Sequence, residues 1–212
     1  RLVSQVLGFA SVLLVAGAVR RAAGRTAGVM AGALMATNFV WVVWNRAALL
    51  ETAMVVPMTA ALYAYARAER TAASRAALWG GLAAVFAVTA FFSKAAAAFF
   101  PVALFGVSVA GLLGARRDPG RGSPAVLDAH TGVIIGLVAS AAVAAAVFVI
   151  PYWTEFTFYN GQMSVTRKPA YTWEAFVDRA SWLPVVHAFF TRQWMLLLLA
   201  GYQLIEVAVC HA

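Results

Sequence analysis

Charge is scarce in this sequence. Of its 212 residues 11% are charged and 63% are hydrophobic. A soluble domain carries about a quarter of its residues as Asp, Glu, Lys and Arg. The composition therefore excludes a soluble globular chain and indicates a polytopic membrane protein, an all-α helix bundle. Cysteine is nearly absent, and the single Cys210 excludes an internal disulfide. Acids are the rarer sign, eight against sixteen Lys and Arg, for a net charge of +8. In a soluble protein that excess would suggest nucleic acid. Here it has a simpler cause, because basic residues gather in the loops on one side of a membrane; no nucleic-acid partner is expected. Also missing are a His-x-x-x-His pair, a Cys-x-x-Cys pair, a Gly-rich phosphate loop and a serine nucleophile elbow. The remaining polar residues make no metal site by spacing.

What is present is a series of apolar runs. A helix crosses the hydrocarbon core with roughly 20 apolar residues. Runs at 2–19, 27–44, 52–66, 76–92, 95–114 and 131–153 meet that length approximately, and a seventh is expected at 194–210. The resulting organisation is a bundle of six spans over 1–153, an amphipathic segment over 154–192 and a seventh span in 193–212. In the second run Gly28, Gly32 and Ala36 lie four apart on one helix face, a spacing that lets helix backbones approach closely. Pro57 is expected to kink the third span.

Alternating the spans sorts the loops into two sets. Loops 20–25, 67–75 and 116–121 each hold three Arg; the short loops of the other set hold only Arg46 and Lys94. This asymmetry places the arginine loops in the cytoplasm of a multi-pass inner (plasma) membrane protein. Residues 45–51, Lys94 and the segment 154–192 then face outward. Trp41, Trp44, Trp153, Trp173, Trp182 and Trp194 fall at or beyond the outer interface. They read as an aromatic belt, or more sharply as platforms for a sugar ring.

Residues 45–51 carry the only charges between Arg25 and Arg67. Ionisable groups at the mouth of a span are costly and are functional candidates by default. Asn45 suits an N-cap for the third span. Arg46 and Glu51 are five residues apart, about 140° around a helix, so each needs another partner. Arg46 reads either as a snorkelling anchor or as a ligand for an anion, and Glu51 as a structural cap or a functional acid. Lys94, closing the fourth span on the same side, reads as an interfacial anchor or as a point charge for a lipid-linked phosphate. His130 and His211 stand singly at span ends and read as structural.

The ordered series then resembles a known family. Arg-Arg-x-x-Gly-Arg at 20–25 follows a span, and Asn-Arg-Ala-x-Leu-x-Glu at 45–51 sits at the outer mouth. Tyr-Ala-Tyr-Ala-Arg at 63–67 closes the next span, Trp79 opens another, and Phe-Ser-Lys-Ala at 92–95 precedes a Pro-led span. The series resembles the protein O-mannosyltransferase and aminoarabinose transferase superfamily of membrane glycosyltransferases, the type C fold, over about residues 1–115. The resemblance implies transfer of a sugar, with inversion, from a polyprenyl-phosphate donor to a hydroxyl of a protein, lipid or glycan at the outer face. It places Arg46 and Glu51 at the second outer loop, where an Arg and an acidic residue line the active cavity, with Asn45 beside them where Ser is more usual. Lys94 matches the Lys of a Thr-Lys-Gly element, with Ser93 and Ala95 at the flanking positions. The resemblance fixes no cofactor; a divalent cation beside the Arg and Lys fits the mechanism it implies. The family's catalytic acid would lie upstream of Arg1, and the chain reads as a fragment truncated at both ends. The rival expectation is a non-enzymatic transporter or flippase-like bundle; a structural or assembly subunit is a third.

Overall fold

The computed structural model describes residues 2–38, 50–117 and 124–158, together with 183, 186, 187, 190 and 191. Every regular element among them is helical: α1 (Leu2–Ala23), α2 (Arg25–Thr37), α3 (Leu50–Ala68), α4 (Ala73–Ser93), a 3-10 turn at Ala95–Ala98, α5 (Phe99–Arg117), α6 (Pro124–Ala144) running into a π turn at Ala145–Val149, and α7 (Trp153–Thr157). Three helices are long and apolar enough to cross a membrane: Leu2–Ala23, Arg75–Ser93 and Pro124–Val149; Phe99–Ala115 is apolar but shorter. The expectation of about seven spans thus finds three among the described residues. The seventh expected span and most of 154–192 lie outside those residues. The chain divides into two compact units, Arg1–Phe148 and Val149–Ala212. In the second, Trp153 stacks on Phe156 within α7.

The first unit follows from small residues meeting small residues. Gly24 separates α1 from α2 in a single residue, at φ +95° and ψ 177°. Only glycine adopts that conformation without strain. Its N–H closes on the Arg20 carbonyl and its own carbonyl accepts from Gly28 N–H, so the chain reverses without losing its hydrogen bonds. A methyl on Gly28 would lie 2.7 Å from the Ala16 carbonyl oxygen, and one on Gly32 would lie 3.0 Å from Ala16 Cβ. The expected small-residue face therefore packs on α1 at Gly28 and Gly32, whereas Ala36 is exposed.

Beyond this hairpin α1 packs on α3, α3 on α4, α4 on α6 and α6 on α5. The α4–α6 crossing is the tightest. A methyl on Gly132 would overlap the Ala77 carbonyl, one on Gly80 would overlap that of Ala129, and one on Gly136 would lie 2.8 Å from Gly81 Cα. The central core is mostly alanine: Ala61, Ala64, Ala83, Ala84 and Ala87, with Leu104, Val133 and Leu137. Large apolar side chains point outward instead; Val3 and Val102 are 70% exposed. That inversion suits lipid, where association rests on close packing and not on hiding apolar surface from water.

The sixth span was expected at 131–153, but its helix starts at Pro124. Proline fits the first helical turn because its missing N–H has no intrahelical role there, and Asp128 and His130 are carried inside the helix. Pro57 is buried within α3, and the helix runs through it.

Candidate active site

The alternation of helices gives the first unit two unlike ends. At one, the C-terminus of α1 meets the end of α3 and the starts of α4 and α6. Arg70 Nη2 donates to the Ala22 carbonyl at 2.8 Å. The Arg21 guanidinium lies 4.4 Å from the centre of the Tyr63 ring and that of Arg67 lies 4.1 Å from the Trp79 ring. Ala68, Ala76 and Ala129 cluster beneath them.

At the other end the start of α3 meets the end of α4. Glu51 is in the first turn of α3. Lys94 is the extended residue between α4 and the 3-10 turn, at φ −160° and ψ 124°. Its N–H donates to the Ala90 carbonyl at 3.1 Å, and its own carbonyl accepts from Ala97 N–H at 2.9 Å. The corner is thus pinned on both sides, and Ala95 opens the 3-10 turn without any left-handed backbone. From this corner Lys94 Nζ donates to Glu51 Oε1 in an ion pair joining residues 43 apart in sequence. The two side chains are 36% and 34% exposed, so the pair is open to solvent. The Glu51 carboxyl is held below the usual carboxylate range, chiefly by the Lys94 hydrogen bond, then by a backbone hydrogen bond at Glu51 itself.

The structure therefore brings together two of the residues singled out from sequence. Asn45 and Arg46 lie outside the described residues. Among the described residues no group of three His, Cys, Asp or Glu forms that could hold a metal ion. In the first unit the other described acids, Glu69 and Asp128, belong to the arginine end.

A groove of about 650 Å³ runs along α4 and α6, lined among others by Val88, Phe92, Ser140, Val147 and Phe148. Phe92 and Phe148 close it edge to face, with ring centres 5.7 Å apart. Phe92, in the last turn of α4, lies two residues before Lys94 in sequence. Thr89 turns its hydroxyl back to the Val85 carbonyl at 2.8 Å, which keeps that wall apolar.

Sequence reasoning passed over one cluster. His130 is buried, shares a 3.4 Å hydrogen bond with the Tyr65 hydroxyl through Nδ1, and lies against Gly111 of α5. Ser108, one turn from Gly111, is buried and its Oγ finds no partner among the described residues. With the sixth span starting at 131, His130 stood singly at a span end and read as structural; a start at Pro124 puts it on a packed face.

A family model described as dolichyl-phosphate-mannose-protein mannosyltransferase matches residues 1–119, more than half of the chain. The match takes in α1 to α5, Glu51, Lys94 and the stretch 45–49. No curated protein and no solved structure matches.

Proposed function

Because the chain belongs to the dolichyl-phosphate-mannose-protein mannosyltransferase family, a family of membrane glycosyltransferases, we propose that it moves a sugar from a polyprenyl-phosphate donor to an acceptor hydroxyl, with inversion, at the outer face of a multi-pass plasma-membrane bundle. The observation that carries this reading is the Glu51–Lys94 pair. It supplies a cation and a carboxylate at one membrane-facing end, inside the matched region and away from the arginine loops. Lys94 and Arg46 are the proposed partners of the donor phosphate, with Asn45 beside them. Glu51 is the proposed acid of the cavity.

The chemistry needs charge in two places. As the acceptor oxygen bonds to the sugar C1, its proton passes to a carboxylate. The bond from C1 to the phosphate oxygen breaks, and the electron pair leaves with the polyprenyl phosphate. Cations held near that oxygen stabilise the developing charge more strongly at a membrane edge than in bulk water. The groove along α4 and α6 supports the same reading: it offers an apolar bed for a polyprenyl chain whose phosphate ends near Lys94.

The test is transfer from a polyprenyl-phosphate sugar in membranes, with protein level followed in parallel. Glu51→Gln is expected to keep the fold and lose most transfer. Arg46→Ala and Lys94→Ala are expected to weaken donor use more than acceptor use. Normal transfer by all three variants at equal abundance would reduce these residues to structural anchors.

A further inference from the structure

Lys94 is already partnered. Its ammonium is engaged by Glu51, and among the described residues of the first unit no other acid lies at this end. A donor phosphate therefore meets an occupied cation. We propose that Glu51 is the resting counter-ion of Lys94 and that the donor phosphate displaces it, so that the Glu51 carboxylate is released only once the donor is seated. This rests on the reading of Lys94 as the phosphate's partner.

Three features support exchange over simple addition. Carboxylate and phosphate are both anionic acceptors competing for one compact ammonium, and the phosphate brings more charge and more acceptor oxygens. The backbone around Lys94 is fixed by hydrogen bonds on both sides, so the change is confined to side chains. Both side chains are about one-third exposed, so they can part without opening the bundle, and an ion pair of that exposure is weak enough to be broken by a better anion. The consequence is order. Before the donor arrives the carboxylate is neutralised and makes a poor acceptor for a hydroxyl proton. Afterwards it is free, negative and next to the bound phosphate. Donor occupancy then gates engagement of the acceptor.

The full-length protein in phosphatidylcholine nanodiscs is titrated with polyprenyl monophosphate, and with the matching polyprenol as the phosphate-free control. Tryptophan fluorescence reads the dissociation constant and a thermal melt checks each variant's fold. Removing the competitor in Glu51→Gln should tighten phosphate binding by up to about fivefold, the range an exposed ion pair of ordinary strength converts to. Glu51→Asp, which keeps the charge on a shorter stem, should fall between it and the wild type. Lys94→Gln should weaken binding, and Glu51→Gln in the Lys94→Gln background should add nothing. Polyprenol binding should not respond to any of them. Unchanged or weaker phosphate binding by a folded Glu51→Gln overturns the exchange while leaving the donor reading intact. A wild type that fails to bind the phosphate, or a Lys94→Gln variant that binds it normally, overturns the donor reading itself.

Discussion

The two ends of the first unit use charge in opposite ways. At the arginine end, cations are spent on the protein. Arg21 and Arg67 lie over aromatic rings, and Arg70 caps the last turn of α1. These contacts tie α1 to α3 and α3 to α4. At the other end the Lys94 ammonium faces the Glu51 carboxylate, both partly open to water, and among the described residues neither lies against a ring. Groups fixed by several partners hold a structure together. A pair that can be opened from solvent is available for chemistry. The difference predicts that substitutions at the arginine end cost stability and spare transfer, and that substitutions at the pair end do the reverse.

The largest effect is expected from breaking what connects the two ends. At the α4–α6 crossing no side chain fits on Gly132 without moving the Ala77 backbone. Gly132→Leu should cost about 3 kcal/mol or more, the upper range for overpacking a tight interior. Yield and thermal midpoint in detergent should fall together, and transfer with them, because both ends hang on this contact. A Gly132→Leu protein with a wild-type midpoint would mean that the ends are held independently. The second effect isolates the arginine end. Arg67→Gln and Trp79→Leu should each lower the midpoint, with a coupling of about 0.5–1 kcal/mol in a double-mutant cycle, the strength of a partly exposed cation–π contact. Transfer per folded molecule should stay unchanged. Loss of transfer without loss of stability would show that the arginines are not merely structural.

Much of this contrast was legible in the sequence, for identifiable reasons. Alternation of apolar runs put Glu51 and Lys94 at one end and the arginine triplets at the other, because successive spans must reverse direction. Helix bounds for α1, α3 and α4 follow the apolar runs within a few residues. The ion pair itself was not legible. Spacing along one helix showed only that Arg46 was a poor partner for Glu51; finding Lys94 requires the rotation of α4 against α3, which small residues such as Ala64 and Ala87 set through packing. The start of α6 was hidden because Asp128 and His130 look like loop residues until the burial of His130 against Gly111 is known. Gly28 and Gly32 meet α1 at Ala16, whereas Ala36, one turn further along the same face, is exposed.

The smallest effect is a pH dependence at the pair end, and its sign distinguishes the two ends. Lys94 holds the Glu51 carboxyl below its usual range in the folded protein. A carboxyl depressed on folding contributes stability that is fully present above its unfolded value, near pH 4, and lost as pH falls through the lower folded value. The wild type should therefore be slightly more stable than Glu51→Gln at neutral pH, and that gap should close on acidification below about pH 4. High salt should shrink it as well, because both groups are reached by solvent. Arg67→Gln should show no such closure, since neither a guanidinium nor an indole changes charge in this range. Thermal midpoints of the three proteins from pH 7 to pH 3, at low and high salt, read the difference. A gap that widens in acid would mean that Glu51 is destabilising when ionised and that Lys94 is not its counter-ion. A gap that is large and indifferent to salt would mean that the pair is locked, and a locked pair is one that an arriving phosphate could not open.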